Sequence, residues 1–169
     1  MSFIQNPSFE GKIAPWKTIS GTVSLSLHSD PSIARSGTQM LSATPSRVGD
    51  SFGQDIDLSY LASPPYPKKL QSISCFAWIR TLDTPSSPAP GIYQPLSGRF
   101  VIWQLMKASA TPPPRNVVSN FTADHQWQLI TCAMDYGNFD TVRIEFYLDW
   151  DYLTAGMGGA VLIDNVNAF

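Results

Sequence analysis

The sequence predicts an all-β domain, a sandwich or barrel of about nine short strands. Three observations carry this. Short runs of β-branched and aromatic residues recur along the chain, each bounded by turn residues. Its 14 Pro and 11 Gly are spread throughout, which breaks helices and punctuates strands. No segment reads as a long amphipathic helix. At 169 residues the chain fits a single domain, 1–169.

In order, the predicted strands are 2–5 (SFIQ), 21–28 (GTVSLSLH), 38–43 (TQMLSA), 51–58 (SFGQDIDL), 70–81 (LQSISCFAWIRT), 99–107 (RFVIWQLMK), 127–135 (WQLITCAMD), 141–149 (TVRIEFYLD) and 160–168 (AVLIDNVNA). Nine strands in one domain match a sandwich or barrel. Three Pro-rich stretches, 62–69, 83–98 and 108–116, read as surface loops, because the segments between them are too short to be domains.

Strand parity assigns faces, since successive side chains point to opposite sides. In SISCFAWIRT, Cys75, Ala77 and Ile79 share one face, while Ser74, Phe76, Trp78 and Arg80 share the other. An arginine is rarely buried unpaired, so the Trp78/Arg80 face should meet a cleft or solvent. In TVRIEFYLDW, Val142, Ile144, Phe146 and Leu148 form an apolar face, and Arg143, Glu145, Tyr147 and Asp149 a polar one. That alternation marks a half-exposed antiparallel strand. Gln54 shares the apolar face of Phe52, Ile56 and Leu58. It is either a buried amide satisfied by backbone or a cleft-facing hydrogen-bonding residue.

Composition removes several function classes. The chain is 43% hydrophobic and 14% charged, too apolar for a disordered tail. Net charge is −2 with no basic run, which argues against nucleic acid, where affinity rests on phosphate neutralisation. No apolar stretch approaches the ~20 residues that span a bilayer, so no membrane partner is expected. The N-terminus lacks a basic and then apolar leader, so the expected location is cytoplasmic, or secreted if a signal has been removed. A homo-oligomer is compatible with all of this. Cys75 and Cys132 read as two small core residues, with a disulfide or a nucleophile as the functional alternatives. Asn120-Phe121-Thr122 is a glycosylation sequon that matters only in a secreted chain. No nucleotide-binding glycine motif, P-loop or HExxH is present, so no organic cofactor is expected.

The order NPSFEG…PW, ARSGTQMLSA, SFGQDIDL, SISCFAWIRT, HQWQLITCAMDY and VLIDNVNAF resembles one family along almost the whole chain. It is similar to the jelly-roll carbohydrate-binding modules that accompany xylanases and cellulases, in the galactose-binding-like superfamily. The resemblance implies a jelly roll whose first and last strands lie near each other, with a structural calcium there. Mapped onto this sequence, its ligands are Glu10 and Asp164, completed by backbone oxygens near Ser8 and in the RSGTQ turn at Gln39. The last strand reads Asp164-Asn165 where the family often has two acids. The alternative is that both carboxylates accept loop amide hydrogen bonds with no metal.

The resemblance also implies a ligand groove on the concave face of one sheet. The matching positions are Trp78 and Arg80, joined by Glu145, Tyr147 and Asp149 if their strand lies in the same sheet, with Tyr93 and Trp103 as a wall. Trp16, Trp127 and Trp150 are expected to pack in the core. Two functions lead, ahead of a purely structural or protein-interaction domain. One is a non-catalytic module binding a glycan or a small polar or aromatic ligand. The other is a cofactor-independent cyclase or isomerase in the same cleft, with Arg80 as hydrogen-bond donor and Glu145 as general base. A glycoside hydrolase, which needs two carboxylates at a set separation, is less favoured.

Overall fold

A computed structural model describes residues 3–58, 72–81, 96–105, 115–135, 141–150 and 160–169. These residues form ten strands and no helix. They are β1 (Lys17–Ser20), β2 (Val23–Ser29), β3 (Gln39–Pro45), β4 (Asp50–Asp57), β5 (Ser72–Thr81), β6 (Leu96–Leu105), β7 (Arg115–Ala123), β8 (Gln128–Asp135), β9 (Thr141–Leu148) and β10 (Val161–Ala168). Two antiparallel five-stranded sheets face each other. Sheet A runs β1-β4-β9-β6-β7, and sheet B runs β2-β3-β10-β5-β8.

The inner faces carry the core. Sheet A contributes Phe52, Phe100, Ile102, Val142, Ile144, Phe146 and Leu148, and sheet B contributes Leu41, Ile73, Ala77, Ile79, Val161 and Ile163. Phe146 is the aromatic hub, stacked on Phe52 at 5.2 Å and Phe100 at 4.8 Å, with Trp16 tilted against it at 6.1 Å. Trp16 and Trp150 are buried in this core, as expected.

Eight of the nine expected strands are present. The segment expected as a strand at 2–5 is not one over its described residues. Phe3 donates its backbone N–H to Ala168, but Gln5 pairs with a side chain. The Gln54 amide accepts the Gln5 N–H at 2.8 Å and donates back to its carbonyl at 2.9 Å. Gln54 is therefore a satisfied buried amide, 1% exposed, holding the N-terminal segment on the sheet. Two strands were not anticipated. β1 is only four residues long, and β7 is a mostly exposed edge strand with Asn116, Ser119 and Asn120 in it. Of the three Pro-rich stretches, all of 62–69, residues 83–95 of 83–98 and residues 108–114 of 108–116 lie outside the described residues, as does Tyr93.

Candidate ligand-binding face

Sheet A turns its apolar side chains inward, so polar and aromatic residues collect on its outer face. Register sets three rows across the strands. Lys17, Gly53, Glu145, Val101 and Val118 form the middle row. Asp55, Arg143, Trp103 and Asn116 flank it on one side, and Ser51, Tyr147, Arg99 and Asn120 on the other.

Glu145 sits at the centre and is 2% exposed although it points away from the core. Ser51 donates its hydroxyl to Glu145 Oε1 at 2.5 Å, and the Tyr147 hydroxyl lies close enough to this carboxylate to feel its charge. Burial, and then the charge of Glu145, push the Tyr147 pKa above its ordinary value, so the phenol stays protonated as a donor. The Trp103 indole nitrogen is buried and has no hydrogen bond of ordinary geometry, although it lies near enough to Tyr147 to affect its ionisation. Gly53, opposite Glu145, has no room for a Cβ, which would strike the Ile144 carbonyl oxygen.

Ion pairs brace the flanks. Arg99 grips Asp149 with two bonds, at 2.8 and 3.0 Å, and its guanidinium lies over the Tyr147 ring at 4.5 Å. Arg143 grips Asp55 at 2.6 and 3.3 Å, with Lys17 3.5 Å from the same carboxylate. The Arg143 bond holds the Asp55 carboxyl below its ordinary range. Each bidentate pair occupies two of five guanidinium N–H donors and fixes the plane of the rest. Lys17, Arg99 and Arg143 stand among Asp55, Asp57, Glu145 and Asp149 on this face.

Sheet membership divides the expected site. β5 lies in sheet B and β9 in sheet A. Trp78 and Arg80 thus project from one outer face of the sandwich, and Glu145, Tyr147 and Asp149 belong to the other. The expected partnership of Arg80 with Glu145 is corrected accordingly: the core lies between them. Trp103, expected as a wall, instead stands on the same face as Glu145. Arg99 and Ser51 complete that face and were missed by parity, which assigns a face within a strand but not the sheet the strand joins.

The outer face of sheet B is covered by its own chain around Trp78 and Arg80, while Leu129, Thr131 and Ala133 of β8 stay exposed. The Arg35 guanidinium stacks 3.9 Å above the Trp78 ring, and the Trp127 indole N–H donates to the Ile33 carbonyl. Arg80 is 8% exposed, bonds the Thr81 carbonyl and lies 5.9 Å from Trp127. Met40 and Leu162, which also point outward, are fully buried. Trp78, Arg80 and Trp127 therefore pack the 30–38 loop against the sheet. Trp127, expected in the main core, belongs to this satellite cluster and is half-buried.

The Glu10–Asp164 region is a clasp on the same loop. Glu10 Oε1 accepts the N–H groups of Thr38 and Gln39 at 2.7 and 2.8 Å. Asp164 Oδ2 accepts those of Arg35 and Ser36 at 2.8 and 2.9 Å. Gln39 braces it, accepting Gly11 N–H through its amide oxygen and donating to Ser29. Gly37 has φ +65°, and a Cβ there would overlap Glu10. Burial first, and then the nearby Glu10 charge, raise the Asp164 pKa, while amide bonds lower that of Glu10. Among the described residues no cluster of three or more His, Cys, Asp or Glu could hold a metal.

No protein-family model matches the chain, and no curated protein sequence is similar to it. Solved structures do match in shape. A carbohydrate-binding module, TmCBM61, solved with β-1,4-galactotriose, superposes with a TM-score of 0.62 at 16% identity, covering 100% of this chain and 98% of that one. The CBM22-2 xylan-binding domain of Paenibacillus barcinonensis Xyn10C gives 0.59 at 16% identity, covering 96% of each. A family 16 carbohydrate-binding module gives 0.58 at 17% identity, covering 99% of each. The chain has the jelly-roll β-sandwich fold of these carbohydrate-binding modules.

Proposed function

We propose that this protein is a glycan-binding module whose ligand lies across the outer face of sheet A. The observation that carries the reading is the convergence there of the Trp103 ring and a fixed array of donors and acceptors around Glu145. Sugars need that combination, an apolar ring for the pyranose face and rigid polar groups for the hydroxyls. With Arg99 and Arg143 each already paired to a carboxylate, the face favours an uncharged glycan. Similarity in shape to modules solved with galactotriose or named for xylan gives the first ligands to try. Calorimetry with β-1,4-galacto- and xylo-oligosaccharides tests it. Binding that weakens in Trp103→Ala and Glu145→Gln is expected. Absence of binding across a broad neutral glycan panel would sink the reading.

A cofactor-independent isomerase or cyclase is the second reading, favoured by the burial of Glu145 against a protonated phenol. Its acid–base pair is then Tyr147 and Glu145, close neighbours on β9, in place of Arg80 and Glu145. Turnover of a small-molecule substrate that survives both Tyr147→Phe and Glu145→Gln would exclude that pair.

We also propose that a structural calcium binds at the clasp. Glu10 and Asp164 are hard oxygen donors of the kind calcium takes, and the ion would have to displace hydrogen bonds that now reach all four of their carboxylate oxygens. Glu10 and Asp164 would hold it, with backbone oxygens near Ser8 and Gln39. Its part is to tie the N-terminal segment, the 35–39 turn and β10 together.

A further inference from the structure

Cys75 and Cys132 are directly opposite each other in the β5–β8 pair. Both thiols are free, and both are buried, 2% and 6% exposed. Both belong to the inner face of sheet B, within the hydrophobic core.

The hydrogen-bond pattern fixes their spacing. Ser74 exchanges both backbone bonds with Phe169, at 2.9 and 3.0 Å, so its N–H and C=O point toward the β10 side. Its neighbour Cys75 must then point its own N–H and C=O toward β8. The Thr81 N–H, of the same parity, points to that side as well, to Asp124. Cys75 and Cys132 are therefore a hydrogen-bonded antiparallel pair, with Cα atoms ~5.5 Å apart. That lies inside the ~4.4–6.8 Å range of disulfides. Cβ atoms of such a pair are ~5.5 Å apart against the ~3.8 Å of a disulfide. Closure thus needs a shift of under ~2 Å, which β8 can supply because it is the edge strand of sheet B.

We infer that Cys75 and Cys132 are a cross-strand redox pair that closes to a disulfide when the chain meets a disulfide oxidant such as oxidised glutathione. The bond would close a loop of about 57 residues that leaves sheet B, forms β6 and β7 in sheet A and returns. That excursion carries Arg99 and Trp103. The oxidised chain would thus hold the candidate ligand face and the β8 edge in one covalent ring.

Burial raises the pKa of both thiols above the ordinary thiol range, so the folded protein keeps them protonated and slow to react. Cys132 also directs its thiol to the Val117 carbonyl at 3.5 Å, a contact it must leave. Reaction therefore follows local opening of β8. The Cys132 thiolate attacks one sulfur of oxidised glutathione and expels a glutathione thiolate. The Cys75 thiolate then attacks Cys132 Sγ in the mixed disulfide and expels the second. Both thiol protons pass to solvent, so two protein thiols are oxidised and one glutathione disulfide is reduced to two thiols.

The test is incubation of the purified chain with oxidised glutathione, with and without low urea, then alkylation and intact mass. The expected product is a monomer lighter by two hydrogens that takes up no alkylating agent and melts higher than the reduced chain. Its formation should be faster in urea. Cys75→Ala with Cys132→Ala should show no oxidant-dependent change in melting. A stable glutathione adduct, an intermolecular dimer, persistently free thiols or a disulfide form that melts no higher would each overturn the inference. None of these outcomes depends on glycan binding.

Discussion

Glu10 and Asp164, from opposite ends of the chain, grip the two halves of one turn. Glu10 takes the amides of Thr38 and Gln39, and Asp164 takes those of Arg35 and Ser36. Their pKa values move in opposite directions, and the sign gives a test for calcium. Without metal, Asp164 has a raised folded pKa. Its contribution to stability is fully present below its unfolded pKa and is lost as pH rises through the folded value. The melting temperature of the wild type relative to Asp164→Asn should then fall as pH rises through the carboxylate range in chelator. With calcium bound the ion favours the charged carboxylate, so the same difference should rise with pH. Identical profiles with calcium and with chelator would remove the metal.

The two outer faces should separate in mutagenesis. Trp103→Ala should weaken glycan binding ~tenfold or more, about 1.4 kcal/mol, with little change in the fold. Trp78→Ala should leave affinity unchanged and lower stability by about 1–2 kcal/mol, because it removes the ring under Arg35. Calorimetry and thermal melts on both variants check this, and the reverse pattern would move the site to sheet B.

Ser51→Ala should cost about 2 kcal/mol of stability, because it takes a donor from a buried carboxylate. It should also weaken glycan binding by loosening Glu145. Ser51→Thr, which keeps the hydroxyl, should recover part of both losses. Denaturant unfolding and calorimetry on the pair give the comparison.

Phe146→Ala should be the most damaging core change of those considered, at about 3–5 kcal/mol, since Phe52, Phe100 and Trp16 all meet that ring. Gly37→Ala should also destabilise, through its positive φ and its contact with Glu10. Urea midpoints measure both.

Face assignments were legible where alternation was clean. In β9 the apolar set went to the core and the polar set to the outer face, as parity required. In β5 the inner and outer sets were likewise correct. β7 was hidden because its inner face alternates apolar with polar residues, Val117, Ser119, Phe121, and its outer face is exposed, which leaves little apolar period to read. The 2–5 segment misled because its apolar residues pack well while its backbone is served partly by the Gln54 side chain, a contact with no local signature.

The sequence by itself determined an all-β sandwich and the direction in which most side chains point, because pleating imposes a period of two along a strand. Only the tertiary structure decided which strands share a sheet. That choice rests on long-range pairing between segments far apart in the chain, which leaves no periodic trace. It moved Trp78 and Arg80 beneath a loop and brought Trp103, Arg99 and Ser51 beside Glu145. It also set Cys75 opposite Cys132.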